Sequence, residues 1–188
     1  MNLRDKNPAL ILVDVQQAFQ DYDYWGGNRN NPDAERVCGQ LLARWRSLNL
    51  PRFHIRHSST NEQSPLHASH AGFTFSEHVT PASGEPVVTK QVNSAFIGTD
   101  LPTRLEEQNI TTLVIVGITT NHCVSTTTRM AGNLGYDTYL ISDATAAFDR
   151  VGIHGEHYGA ETIHLTALAS LNEEFATVWN AATLLAAL

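Results

Sequence analysis

Residues Ala9-Leu10-Ile11-Leu12-Val13 set five apolar side chains in unbroken succession. A strand with one face in water would alternate apolar and polar positions. This run therefore reads as a strand covered on both faces, as in a parallel sheet between helical layers. Weaker or shorter runs of the same kind follow at 51–56 (PRFHIR), 86–90 (PVVTK), 112–116 (TLVIV) and 138–141 (TYLI), with a last one near 175–178. Between them lie helical patterns. Asn31 can cap a helix that has Pro32 at its first position and Val37, Leu41, Leu42 and Trp45 on its apolar face. Others are expected from Thr99 or Asp100 to Glu107, from Cys123 to Leu134 with Gly135 as the stop, over 156–171 and over 179–188. Strand-helix alternation at this spacing predicts βαβ units in one α/β domain, a doubly wound, mainly parallel sheet in three αβα layers, spanning 1–188. The polar stretch 58–85 is too long for a plain connection and reads as a lid or binding loop, or equally as an oligomer contact.

The net charge of −7 argues against a nucleic-acid backbone or an anionic membrane as the main partner. Cys38 and Cys123 lie far apart without a C-x-x-C spacing, which suggests neither a disulfide framework nor a zinc knuckle. With no signal-like apolar run at its start, the chain is expected to be cytoplasmic.

In open parallel sheets ligands bind at the carboxyl ends of the strands. Three reactive residues fall there: Asp14 after the first strand, Lys90 at the end of the third, and Cys123 after the turn 117–122 that leads into a helix. A helix start and a nearby ammonium both favour a thiolate, a carboxylate can carry the thiol proton, and the turn's backbone N–H groups can hold an oxyanion. Singly, each residue has a plainer use: the aspartate as a turn residue, the lysine as a solvated edge charge, and the cysteine as packing, which is how Cys38 reads.

Three separated motifs in order resemble the isochorismatase-like (cysteine hydrolase) superfamily: ALILVDVQQAF at 9–19, K-x-x-x-S-A-F from Lys90 to Phe96, and GITTNHCVSTTTRMA at 117–131. The resemblance covers nearly the whole chain and continues through Gly135-Tyr136 and Ser142-Asp143-Ala144. It implies the three-layer α/β fold and a catalytic triad of Asp14, Lys90 and Cys123. It also implies a cis peptide joining Ile118 to Thr119, with the Thr119 and Cys123 backbone N–H groups as the oxyanion hole. The Asp-x-His metal pair of the family's nicotinamidases is missing from Ile55-Arg56-His57-Ser58, so neither a metal nor a cofactor is expected. The retained cysteine favours attack on a carbonyl over vinyl-ether cleavage. The expectation is a hydrolase of small amide, ureido or lactam C–N bonds, near streptothricin hydrolase, working through a thioester. A vinyl-ether hydrolase or a non-catalytic binding member is the alternative. Phe19, Tyr24, Trp25, His57 and Phe96 are candidate substrate contacts. Gln16 is read as supporting Asp14, and His122 as pointing outward or capping. The partners expected are a small-molecule substrate and, from the resemblance and the apolar tail 181–188, further copies of the chain as a homo-oligomer.

Overall fold

The computed structural model describes residues 3–188. In chain order it contains β1 (Ala9–Val13), the single turn α1 (Tyr22–Trp25), α2 (Ala34–Ser47), β2 (Arg52–His57), β3 (Val87–Lys90) and α3 (Leu101–Glu107). Then come β4 (Thr112–Ile118), a π-helical turn (Thr120–Val124), α4 (Ser125–Asn133), β5 (Asp137–Ala146) and the short hairpin β6 (Arg150–Val151) and β7 (His157–Tyr158). α5 (Ala160–Leu171), β8 (Thr177–Trp179) and α6 (Ala181–Ala186) complete it. Six strands form one parallel sheet in the order β3-β2-β1-β4-β5-β8, the doubly wound arrangement expected from the sequence.

The sheet separates two apolar cores, and the pleat of β1 divides its side chains between them. Ala9, Ile11 and Val13 pack with Phe53, Ile115, Leu105 and Ala131 on the α3–α4–α5 side. Leu10 and Leu12 pack with Val114, Leu41, Trp45 and Leu184 on the α2–α6 side. Every residue of β1 and β4 is buried, which accounts for the apolar runs 9–13 and 113–116.

Four expected helix boundaries move. The helix read from Asn31 starts at Ala34, because Asn31 takes a positive φ of 42° and spends its amide on the Ser142 and Thr145 carbonyls at 3.0 and 2.7 Å. The helix read from 156 starts at Ala160, since 150–158 turn back as the β6–β7 hairpin and Asp149 accepts from the Ala160 N–H at 2.7 Å. The helix read from Cys123 opens as the π-helical turn and becomes α-helical only at Ser125. The terminal helix is confined to α6, which Asn180 caps by accepting from the Thr183 N–H at 2.8 Å, while Trp179 belongs to β8. Between β2 and β3 the long segment makes only two short 3-10 turns, Ala71–Phe73 and Glu77–Val79. It is anchored on β1's exit, where the Gln17 N–H donates to the Thr74 carbonyl and the Ser76 N–H to the Val15 carbonyl.

Candidate active site

Strand order reverses direction at β1 and β4, and such a switch point opens a crevice beyond the carboxyl ends of the strands. Four neighbouring strands each deliver one reactive group there: Lys90 ends β3, His57 ends β2, Asp14 follows β1, and Cys123 lies in the π-helical turn after β4. Asp14 leaves β1 in a left-handed conformation, φ 52°, which L-residues rarely adopt and which turns its carboxyl away from the run of the strand. Gly117 opposite has φ 131°, and a Cβ there would lie 1.9 Å from the Val13 carbonyl oxygen. Only glycine lets β4 pass this close to the aspartate's strand.

Lys90 Nζ donates to Asp14 Oδ2 at 2.6 Å and to His57 Nδ1 at 3.1 Å, in a pair whose side chains are almost wholly buried. The other carboxylate oxygen, Asp14 Oδ1, is buried and has no hydrogen-bond partner. One atom each of Asp14, His57 and Cys123 lies within 4.8 Å of the others. That spacing would suit a cation, but the Lys90 ammonium already stands between the carboxylate and the imidazole, so these residues do not fit a metal ion.

Burial pushes the Cys123 thiol up to about 12, with the Asp14 charge adding to the rise and Lys90 opposing it. Burial thus works against the thiolate that the helix start and Lys90 favour, and one Asp14 carboxylate oxygen lies within 4.8 Å of the sulfur. His57 is held below the usual imidazole range by burial first and by the Lys90 charge second. Accepting from Lys90 at Nδ1, the neutral ring carries its proton on Nε2.

A cleft of about 360 Å³ opens on Cys123. Phe19, Tyr24, Trp25 and His57 line it, as expected. Phe19 and Trp25 meet at 4.7 Å between ring centroids, and the Trp25 indole donates to the Ala18 carbonyl at 2.8 Å, which fixes the wall. Phe96 is not among the lining residues. It is buried in the α3–α4–α5 core and stacks on Tyr136 at 5.8 Å, because the chain after Lys90 turns inward at Ala95. Two further readings change. His122 does not point outward: it lines the cleft, half-buried, with Nδ1 3.0 Å from the Thr119 hydroxyl. Gln16 makes no side-chain bond to Asp14. It clamps the His57 backbone, accepting from its N–H at 2.8 Å and donating to its carbonyl at 3.1 Å, and also donates to the Phe73 carbonyl at 2.9 Å. Sequence reasoning also missed Ser59, Asn61, Ser64 and Leu66 of the long loop, and Asn93 after β3. The loop's length was the available signal; its polar sequence did not say which residues face inward. The Ile118–Thr119 peptide is cis, as the resemblance implies.

An open parallel sheet with a cysteine, an aspartate and a lysine gathered at its switch point defines an α/β protein with a thiol-carboxylate-ammonium centre whose ion pair is buried. The chain belongs to the isochorismatase family, whose domain model matches residues 8–183. Members of this family are hydrolases. It is 49% identical over 174 residues to the uncharacterized isochorismatase family protein YrdC of Bacillus subtilis, covering 93% of this chain and 92% of that one. It is similar to streptothricin hydrolase of Streptomyces noursei, 33% identical over 75% of this chain and 50% of the relative. To the ureidoacrylate amidohydrolase RutB of Methylobacterium radiotolerans it is 29% identical, over 87% of this chain and 59% of the relative. The crystal structure of an isochorismatase-family protein from Chromobacterium violaceum superposes with a TM-score of 0.94 at 41% identity, covering all of this chain and 96% of that one. Among the described residues, no helix is long and apolar enough to cross a membrane.

Proposed function

We propose that the protein hydrolyses a C–N bond of a small amide, ureido or lactam substrate through a thioester on Cys123. The unpartnered Asp14 Oδ1 carries this reading. Leaving a buried carboxylate oxygen without a donor costs stability, and here it leaves a proton acceptor open on a carboxyl that lies within 4.8 Å of the Cys123 sulfur.

In the first step the Cys123 proton passes to Asp14 Oδ1 as sulfur bonds to the carbonyl carbon and the carbonyl π pair moves to oxygen. The Thr119 and Cys123 backbone N–H groups would receive that oxyanion. Lys90 stays bound to Oδ2 and keeps the carboxyl aimed at the sulfur. Collapse of the intermediate breaks the C–N bond, and the departing nitrogen takes the proton from Asp14. Water then attacks the thioester and gives a proton to Asp14, the C–S bond breaks, and Asp14 returns that proton to sulfur. The sum is amide plus water giving acid plus amine. The amidohydrolase name of one relative supports the C–N reading.

The test is a screen of small amides, ureido acids and lactams for ammonia or amine release, with Cys123→Ser as control. Turnover that depends on Cys123, with a thioester adduct on its peptide by mass spectrometry, is expected. Turnover that survives Cys123→Ser would replace this reading with vinyl-ether or other chemistry.

A further inference from the structure

We infer that the cleft selects substrates whose carbonyl-bearing portion is uncharged, namely flat aryl, alkenyl or cyclic amides with no carboxylate inside the cleft. This rests on the amide-hydrolase reading above and narrows its substrate class.

Among the described residues that line the cleft there is no arginine or lysine. Its polar groups are hydroxyls such as Ser59 and Thr119, the amides of Asn61 and Asn93, and the imidazoles of His57 and His122. Burial holds both imidazoles below the usual range, helped at His57 by Lys90 and at His122 by Arg150, so neither offers a charge at neutral pH. The Lys90 ammonium is committed to Asp14 and His57 and is 1% exposed. Arg150 of β6, whose charge reaches His122, is exposed and lines an adjoining hollow with Tyr24 and Trp25, where Asp23 and Asp149 offset it. A substrate carboxylate in the inner cleft would give up its water without gaining an opposite charge, which is among the costliest exchanges in recognition. The chain's net charge of −7 disfavours its approach as well. A neutral amide loses far less. Its flat face can lie on the Phe19–Trp25 wall, and its carbonyl and N–H groups find both donors and acceptors opposite.

The experiment uses an isosteric pair, 4-acetylbenzamide and 4-carbamoylbenzoate, which differ mainly in a neutral methyl ketone against a carboxylate. Wild-type kcat/KM for ammonia release should favour the neutral amide by about 30-fold or more. Asn93→Arg adds a cation at an exposed position of the rim and should shrink that ratio by about tenfold. A second arm needs no turnover: alkylation of Cys123 by iodoacetamide and by iodoacetate at about pH 9, read on the Cys123 peptide and divided by the same ratio for glutathione. Preference for the neutral reagent about tenfold beyond glutathione is expected. Equal or better handling of 4-carbamoylbenzoate, or an alkylation ratio at or below that of glutathione, would overturn the inference. A neutral preference in alkylation with neither amide hydrolysed would uphold the selection by charge and count against amide hydrolysis. No reaction in either arm would count against both.

Discussion

The strands β2 and β3 carry a buried charged cluster at each end, and the two clusters are finished to different degrees. At the amino end, Glu85 accepts from Arg46 at 2.8 and 2.7 Å, from Arg52 Nε, and from the Ala82 N–H at 2.9 Å, and His54 Nε2 lies 2.9 Å away. What stays unmatched there is a neutral ring nitrogen, His54 Nδ1. At the carboxyl end the unmatched atom is a carboxylate oxygen, Asp14 Oδ1, on a carboxyl that lies within 4.8 Å of the Cys123 sulfur. A saturated carboxylate pins two strand ends together. An unsaturated one keeps a site for a proton, which is of use only if a proton has to move.

The largest effect that tests this contrast is at Cys123. Cys123→Ala should lower kcat/KM by about 10⁴-fold or more while the thermal midpoint stays near that of the wild type, since the side chain is small and half-buried. An unfolded variant, or one that keeps turnover, would break the assignment of function to this end. Next comes Lys90→Ala, which leaves the Asp14 charge buried and unpaired. It should cost about 3–5 kcal/mol in denaturant unfolding, and turnover with it. The same loss of stability with full activity would make the carboxyl-end pair a structural one.

The amino-end cluster should answer in the opposite way. Glu85→Gln should cost about 2–3 kcal/mol, less than a fully buried pair because Arg46 and Arg52 keep contact with water, and should leave kcat/KM unchanged. Its pH dependence has a definite sign. Arg46 above all, with the Ala82 N–H, Arg52 and His54, holds the Glu85 carboxyl well below the usual carboxylate range against the opposing effect of burial. A depressed folded value means the stabilisation is complete above the unfolded value of about 4.3 and drains as pH falls through the folded one. Wild-type thermal midpoints should therefore drop steeply below about pH 4, and those of Glu85→Gln should drop less. Parallel acid profiles would show that Glu85 is not the group that titrates.

The two clusters were unequally legible in the sequence. Asp14, Lys90 and Cys123 sit beside strand ends that apolar runs make visible, so strand order alone gathers them, and the family resemblance gave each a role. Glu85 lies in a polar loop, where nothing local marks a carboxylate as buried or tells it from its neighbours Ser83 and Gly84. Phe96 shows the converse limit. It follows the motif lysine, yet a turn at Ala95 sends it into the core, and no periodicity reports the direction of a turn. The second strand of the β6–β7 hairpin falls inside the expected helix 156–171, because two residues per strand are too few for alternation to register.

The smallest effect separates positioning from packing on the path between the clusters. Gln16 is fully buried, and its side-chain oxygen and nitrogen hold the backbone of His57, whose ring touches Lys90. Gln16→Leu should cost about 1–3 kcal/mol, as the His57 N–H and carbonyl and the Phe73 carbonyl lose their partner. If the clamp aims His57 at substrate, KM should rise several-fold with kcat less affected, since the Cys123–Asp14 pair is untouched. Gln16→Glu separates the two roles further. A carboxylate can still accept from the His57 N–H but cannot donate to the two carbonyls, so His57 keeps one of its two anchors while the long loop loses its tie at Phe73. A smaller rise in KM than in Gln16→Leu would place the clamp's effect in the ring of His57. An equal rise would place it in the loop that carries Ser59 and Asn61 to the cleft.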